Sequence, residues 1–218
     1  MKKEKNIRII FAGAALLALF IVWTVLVKCV DVQAIGPNGS AVGFAALNGF
    51  VHKLTGVNMA LYNITDWLGI VPICFAAGFG VLGFVQLIKR KSLLSVDASI
   101  LILGVFYIAV IALFLLFEIC VINYRPILIE GIMEASYPSS TTLLVMCVMP
   151  TSAIQLKNRI KSRRLQQATV WVIYAFTAFM VIARLISGVH WFSDIIGGLL
   201  LSAGLVTVYY GTVLLIEN

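Results

Sequence analysis

Three side chains capable of acid–base or nucleophilic chemistry, Arg184, His190 and Asp194, lie within apolar sequence near the C-terminus. Ionisable side chains are costly inside a bilayer, so they usually face a cavity and have a function there. His190 and Asp194 are four positions apart, which on a helix would let the carboxylate hold one imidazole nitrogen and fix the tautomer. Arg184, across a Ser-Gly turn, could bind an anion near the histidine. The set predicts a phosphate-handling nucleophile or base, or alternatively a polar cluster that fixes helix packing.

The composition is that of an integral membrane protein. Of the 218 residues, 61% are hydrophobic and only 11% are charged, whereas soluble domains rarely exceed about half apolar residues. The net charge of +7 does not indicate nucleic-acid binding, because the basic residues lie in short runs between apolar segments. The four cysteines form no metal-binding pattern, and we predict neither a metal nor another cofactor.

Six apolar segments approach the length of about 20 residues that crosses a bilayer. They predict an all-α, polytopic membrane protein with a single domain over 1–218. The stretch 43–55 is too short and too mixed to span, and we expect a short interfacial helix there. The predicted spans are 9–27, 67–88, 98–120, 139–156, 168–186 and 194–216.

The basic residues predict the orientation of these spans. Four precede the first span, three lie between the second and third, and five lie between the fourth and fifth. These segments fall on one side of a six-span topology, so both termini are expected in the cytoplasm. The short loops suggest a bacterial cell membrane. The opposite side carries only Lys28, Lys53, Arg125 and Arg184.

The second outer loop carries Arg125 and ends at the start of a helix. Ser139, Ser140 and Thr141 follow a proline and precede an apolar run, a pattern typical of a helix N-terminus. The unpaired N–H groups and the positive dipole end of a helix N-terminus can bind an anion. These hydroxyl residues are therefore either part of an anion site or only helix caps.

The three segments, in this order and on one membrane face, resemble the motifs of the type 2 phosphatidic acid phosphatase family. This family of membrane lipid phosphatases shares its active-site plan with vanadium haloperoxidases. Its third motif is Ser-Arg, five residues, His, three residues, Asp, and the spacing of Arg184, His190 and Asp194 matches it throughout. Its first motif (Lys, six residues, Arg-Pro) and second motif (Pro-Ser-Gly-His) are incomplete here, matched by Arg125-Pro126 and Pro138-Ser139.

The resemblance implies a role for each matching residue. His190 would be the nucleophile that forms a phosphohistidine, and Asp194 would orient the ring and balance its charge. Arg125 and Arg184 would clamp the phosphoryl oxygens without a metal ion. The remaining phosphate contacts would come from the start of the helix, at Ser139, Ser140 and Thr141.

Two departures from the family pattern bear on the substrate. Thr141 stands where the family has a second His, its general acid, whose loss should cost about 10²–10⁴ in rate for an alkoxide leaving group. A diphosphate instead releases a phosphate monoester, whose second pKa is about 6. A polyprenyl diphosphate is therefore the expected substrate. Glu118 stands where the family has Lys, and Lys53 could restore the missing positive charge.

The sequence thus predicts a lipid phosphatase, a phosphoric ester or anhydride hydrolase that acts on a lipid phosphate or diphosphate at the extracytoplasmic face. The expected partners are this lipid and the bilayer. Because two motifs are incomplete, a catalytically inactive relative that binds or transports lipid phosphates is the alternative. A covalent phosphoenzyme would distinguish the two hypotheses.

Overall fold

A computed structural model describes residues 2–216, which fold into eight α-helices joined by short loops and two 3₁₀ turns. The predicted all-α membrane fold is confirmed, and a helix is present where the short helix was predicted at 43–55. The helices are α1 (Lys2–Cys29), α2 (Ala45–Thr55), α3 (Met59–Leu68), α4 (Ile70–Arg90), α5 (Ala98–Ile119), α6 (Ser140–Lys157), α7 (Arg163–Ile186) and α8 (Phe192–Ile216).

Within residues 2–216, five segments are helical, long and apolar enough to cross a membrane. One of them joins α3 and α4, which meet at Gly69. This segment therefore begins earlier than the predicted span at 67–88. The others are α5, α7, α8 and the part of α1 from Lys3 onwards. The chain is a multi-pass membrane protein.

α6, predicted as a span over 139–156, is not one of these five segments. It packs against α4, α5, α7 and α8, and more than half of its residues are buried. Its side chains face protein rather than lipid, so the helix accommodates polar residues such as Thr151, Ser152 and Gln155, all buried. The count of six spans stays a prediction.

The first and last helices are antiparallel neighbours. Near the start of α1, the Asn6 amide donates to the carbonyl oxygen of Leu214 at 2.9 Å, and near its end Trp23 Nε1 donates to the carbonyl oxygen of Ser193 at 3.1 Å. The described parts of both terminal helices therefore reach the same end of the bundle, as expected if both termini lie on one side.

The basic segments that follow α4 and α6 also share one end of the bundle. The carboxylate of Asp97, just before α5, lies 2.8 Å from Arg90 and 3.8 Å from Arg159. Gln155 nearby donates to the hydroxyl of Tyr209 in the second half of α8 at 2.6 Å, which places this cluster, the basic end, beside the C-terminal part of α8. His190 and Asp194 lie at the opposite end, before and at the start of α8.

Candidate active site

A glycine turn between α7 and α8 positions His190. Gly188 has a φ of 67°, and a Cβ at this position would lie 1.8 Å from the carbonyl oxygen of Gly56. Glycine is therefore required both by the backbone conformation and by the close approach of the preceding loop. The Asn58 backbone N–H donates to the Ser187 carbonyl at 3.0 Å and fixes the same turn from outside.

Asp194 lies fully buried in the first turn of α8, and uncharged donors surround its carboxylate. Asn123 Nδ2 donates to Oδ1 at 3.1 Å. The Ser136 hydroxyl and the Trp191 backbone N–H donate to Oδ2 at 2.5 and 3.0 Å, and Ser193 Oγ lies 3.4 Å from Oδ1. These donors replace water around a buried anion.

The contact between His190 and Asp194 is indirect. Ser136 Oγ lies 2.9 Å from His190 Nδ1 and donates to Asp194 Oδ2, so a hydroxyl group bridges the ring and the carboxylate. The sequence predicted a direct contact on one helix face. The structure differs because α8 begins only at Phe192, which leaves His190 in the turn before it.

His190 is buried, and the described residues leave one of its ring nitrogens without a partner. Only 3% of the residue is exposed, and Nε2 is buried without a hydrogen-bond partner among the described residues. Burial, followed by the positive charges of Arg125 and Arg184, holds the pKa of His190 well below its ordinary value. This lowered pKa favours the neutral ring near pH 7, and Nε2 is the ring nitrogen that the described residues leave without a partner.

Arg125 lies in the loop before α6, where the two arms of the loop pair with each other. Its backbone N–H donates to the Glu134 carbonyl at 3.1 Å, and its Nε lies 2.9 Å from the Glu134 carboxylate. The guanidinium is buried, and Nη1 has no hydrogen-bond partner within residues 2–216. Arg125 is thus tethered by one carboxylate and retains hydrogen-bonding capacity for another anion.

Arg184, in the last turn of α7, is almost completely buried against α3. Its Nη1 donates to Thr65 Oγ1 at 3.0 Å, and its Nη2 lies 3.6 Å from the Asp66 carboxylate. Its Nε has no hydrogen-bond partner among the described residues. α3 therefore fixes the position of this guanidinium and leaves one donor free.

Tyr62 on α3 lies beside both arginines. Its ring centroid is 4.6 Å from Arg184 Cζ and 5.8 Å from Arg125 Cζ, within the range of cation–π attraction. α3 was not predicted to be part of the site. The available signal was Asp66, an acidic residue directly beside a predicted membrane span.

α2 supports the start of α8 through Asn48, a residue that was not predicted to contribute. Fully buried Asn48 accepts the Ser193 backbone N–H at 3.0 Å and donates to the Ser193 hydroxyl at 2.9 Å. The His52 ring lies 5.5 Å from the Trp191 ring. Two polar contacts to Ser193 and one aromatic contact to Trp191 thus hold the segment that leads directly into Asp194.

The residues of the second motif divide between two tasks. Ser139 caps α6, since its buried hydroxyl oxygen accepts from the Thr142 backbone N–H, and its own N–H donates to the Asp194 carbonyl at 3.1 Å. Ser140 and Thr141 instead line a cavity of about 500 Å³. Their predicted phosphate contacts stay predictions, although the cap ties the helix start to Asp194.

Glu118 lies near Arg125, as its motif position predicts. It lines an open cavity of about 640 Å³ together with Arg125 and Glu134. Lys53 is exposed on α2, and the described residues provide it with neither an ion pair nor a side-chain hydrogen bond. Its proposed compensation for Glu118 therefore has no contact to support it. Over residues 2–216, no cluster of three or more His, Cys, Asp or Glu side chains could hold a metal ion.

Comparisons with known proteins agree with the fold. Residues 120–215 match the model of the PAP2 superfamily, which confirms the resemblance predicted from the motifs. The fold is similar to the crystal structure of a transmembrane PAP2-type phosphatidylglycerolphosphate phosphatase from Bacillus subtilis, with a TM-score of 0.60. The two chains are 18% identical, and the similarity covers 92% of this chain and 94% of that one. No curated protein sequence matches the chain.

Proposed function

We propose that this chain is a membrane lipid phosphatase that hydrolyses a lipid diphosphate through a phosphohistidine at His190. The observation that carries the proposal is the unpartnered Nε2 of a buried, neutral histidine beside two buried arginines with free donors. Unsatisfied buried donors and a perturbed histidine are typical of functional sites. Here they form a site for an anion next to a nucleophile.

The reaction has two in-line steps. His190 Nε2 attacks the terminal phosphorus, the bond from phosphorus to the bridging oxygen breaks, and its electron pair leaves with the lipid monophosphate. Water then attacks the phosphohistidine, the P–N bond breaks, its electron pair returns to Nε2, and dihydrogen phosphate is released. Arg125 and Arg184 stabilise the charge on the transferring oxygens, where such groups contribute most to phosphoryl transfer.

The cavity lined by Ser140 and Thr141 is suited to the lipid chain. Its other lining residues are mainly apolar side chains of α3 to α6, including Ile70, Ile73 and Ile111, which are largely exposed on the outer surface of the bundle. In a bilayer this surface faces the acyl region. A lipid could therefore place its phosphate at the start of α6 while its tail stays among other lipids.

Thr141 favours a diphosphate over a monoester substrate. A threonine hydroxyl is a much weaker acid than an imidazolium group, so it cannot efficiently protonate an alkoxide leaving group. A leaving lipid monophosphate needs little protonation because its second pKa is about 6. We assign a polyprenyl diphosphate as the substrate and the extracytoplasmic membrane face of a bacterial cell as its site, with both termini cytoplasmic.

The test is phosphate release by the purified full-length chain in detergent with EDTA. The substrates are undecaprenyl diphosphate, phosphatidylglycerolphosphate and phosphatidic acid, the second because the similar Bacillus protein is named for it. Release that is fastest with the diphosphate, and that requires His190, supports the proposal. His190→Gln is compared with His52→Gln, which changes the other histidine of the chain. Faster release from either monoester would refute the substrate assignment.

A binding or transport role is the second candidate, and the ion pair between Arg125 and Glu134 favours it. In that role the site would hold a lipid phosphate without transferring its phosphoryl group. Protein denatured in alkaline detergent, which preserves a phosphohistidine, after incubation with substrate labelled in its terminal phosphate distinguishes the two functions. A label at His190 identifies the phosphatase, whereas lipid binding without any label identifies the binding protein.

A further inference from the structure

We infer that Ser136 is a positioning residue that fixes the His190 tautomer by linking the ring to Asp194. The inference rests on the proposed function but concerns a residue outside the three sequence motifs. Ser136 is 2% exposed, and its hydroxyl oxygen lies within hydrogen-bond distance of both His190 Nδ1 and Asp194 Oδ2, at 2.9 and 2.5 Å. No other side chain in the described residues hydrogen-bonds the His190 ring.

The direction of the hydrogen bonds follows from Asp194. Its two oxygens also face Asn123 Nδ2, the Trp191 backbone N–H and the Ser193 hydroxyl. An ionised carboxylate only accepts hydrogen bonds, and this set of donors stabilises that form. The Ser136 proton therefore points to Asp194, and the free lone pair of its oxygen accepts the Nδ1–H of His190.

This arrangement leaves Nε2 without a proton. A neutral imidazole carries one proton, and with Nδ1 as the donor, Nε2 has the lone pair that attack on phosphorus requires. As the N–P bond forms, positive charge develops on the ring, and its Nδ1–H bond to Ser136 strengthens. Through the Ser136 hydroxyl, the Asp194 carboxylate stabilises the positive charge on the ring, and Ser136 itself does not touch the substrate.

The loop holds Ser136 firmly in place. Its backbone N–H donates to the Asn123 carbonyl at 2.9 Å, and Tyr124 pairs with Ala135 in an isolated antiparallel bridge. Asn123 also contacts Asp194, so both arms of the loop are fixed to the carboxylate. A positioning group needs this rigidity, because misplaced support for a nucleophile reduces its rate.

The direct test is the tautomer itself, measured by ¹⁵N NMR on histidine-labelled protein in detergent near neutral pH. The chain has two histidines, so His52→Gln identifies the signals of His190. We expect a protonated Nδ1 and an unprotonated Nε2 in the wild type, and a mixture of tautomers in Ser136→Ala. A protonated Nε2 in the wild type, or an unchanged tautomer in Ser136→Ala, overturns the inference. This result is independent of whether the protein turns over any lipid.

Kinetics provide the second test where turnover is found. Ser136→Ala should lower kcat by about 10- to 100-fold with little change in KM, the usual loss when a group that orients a functional histidine is removed. Ser136→Thr, which keeps the hydroxyl, should recover most of kcat. The matched control is Ser202→Ala, because Ser202, about two turns after Asp194 in α8, is also fully buried and its hydroxyl donates to the Gly198 carbonyl oxygen. Equal losses in Ser136→Ala and Ser136→Thr, in protein that stays folded, would contradict a role for the hydroxyl.

Discussion

Two arginine–aspartate clusters lie at opposite ends of the bundle and differ in how their charges are paired. At the basic end, Asp97 forms ion pairs with Arg90 and Arg159 at 2.8 and 3.8 Å. Gln86 donates to the same carboxylate and accepts its backbone N–H. The side chains of Arg90 and Asp97 are 44% and 40% exposed. Water therefore solvates their remaining hydrogen-bonding groups and screens the attraction between the charges.

At the opposite end, near His190, the same residue types are present, but the buried aspartate and the two arginines do not pair with each other. Asp194 is bound by uncharged donors, and neither Arg125 nor Arg184 forms an ion pair with it. The arginines are buried and keep donors without partners. Their partial partners are Glu134 and Asp66, both of which are more exposed than the guanidinium groups.

The difference supports a structural role for the exposed cluster and the proposed ligand-binding role for the buried one. An exposed, mutually neutralised pair contributes little and attracts no further charge. Buried positive groups with free donors are costly unless an anion accepts their hydrogen bonds and balances their charge. The same residue types therefore pair with each other at one end and, at the other, leave the free donors that the proposed phosphoryl site requires.

Replacing an arginine at each end tests this comparison with the largest expected effect. Arg184→Lys retains the charge but loses the planar set of donors, and kcat/KM should fall by about 10²–10³. Arg90→Lys makes the same change in the exposed cluster and should leave kcat/KM within about twofold. Comparable losses in both variants, measured as phosphate release, would mean that the two clusters do not differ in function.

The positive charges of Arg125 and Arg184 should also affect the titration of His190. An ordinary histidine with a pKa of about 6.5 loses roughly eightfold in neutral population between pH 7 and 5.5. Because burial and the two arginines depress the pKa of His190, its neutral population should change by less than about twofold over this range. ¹⁵N NMR measures it directly.

The same depressed pKa links folding to pH. The unfolded chain binds a proton at this histidine below about pH 6.5, whereas the folded chain does not. The free energy of unfolding should therefore fall as the pH drops through this range. An eightfold loss of the neutral form in the folded protein would show that the arginines are neutralised, as at the basic end.

Glu134 forms an ion pair with Arg125, so this part of the site most resembles the ion-paired cluster at the basic end. In Glu134→Gln, Arg125 loses its carboxylate partner and an incoming phosphate no longer competes with it. KM should fall by about fivefold with kcat nearly constant, since an ion pair of this exposure contributes up to about 1 kcal/mol. Glu130→Gln removes the same charge from the exposed tip of the loop and is the control. A raised KM in Glu134→Gln would show that Glu134 positions Arg125 rather than competing for it.

Helices and the third motif were predictable because both depend on neighbours along the chain. Apolar runs specify membrane helices directly. Arg184, His190 and Asp194 are separated by only one short turn, so their spacing in the sequence is enough to predict that they lie close together. The enclosed position of α6 was not predictable, since hydropathy does not distinguish a helix that faces lipid from one that faces protein. Only the packing of the other helices around it makes that distinction.

The supporting residues were missed because they come from distant parts of the chain. Ser136 and Asn123 lie at opposite ends of a loop and become neighbours only when its arms pair. Tyr62 reaches the arginines from a helix far away in sequence. Serine, asparagine and tyrosine are common in loops and helix ends, so their types alone gave no signal. Asp194 lies close to His190, but the two were predicted to touch directly and the intervening Ser136 hydroxyl was not predicted.

The smallest effect is expected for Asp97→Asn, which is compared with the same substitution at Asp194. Hydrogen bonds from Arg90 and Gln86 hold the pKa of Asp97 below its ordinary value. Its stabilisation is therefore present at neutral pH and is lost as the pH falls through that lowered pKa. Asp97→Asn should lower the free energy of unfolding by less than about 1 kcal/mol at pH 7 and leave phosphate release unchanged.

Asp194→Asn makes the same substitution where the carboxylate anchors Ser136 and His190. It should reduce phosphate release far more than it reduces the thermal midpoint in detergent, because an amide at this position can no longer act only as an acceptor. Thermal unfolding and phosphate release are measured on both variants side by side. If Asp97→Asn impairs turnover as much as Asp194→Asn does, the basic end is coupled to catalysis and its charges have more than a structural role.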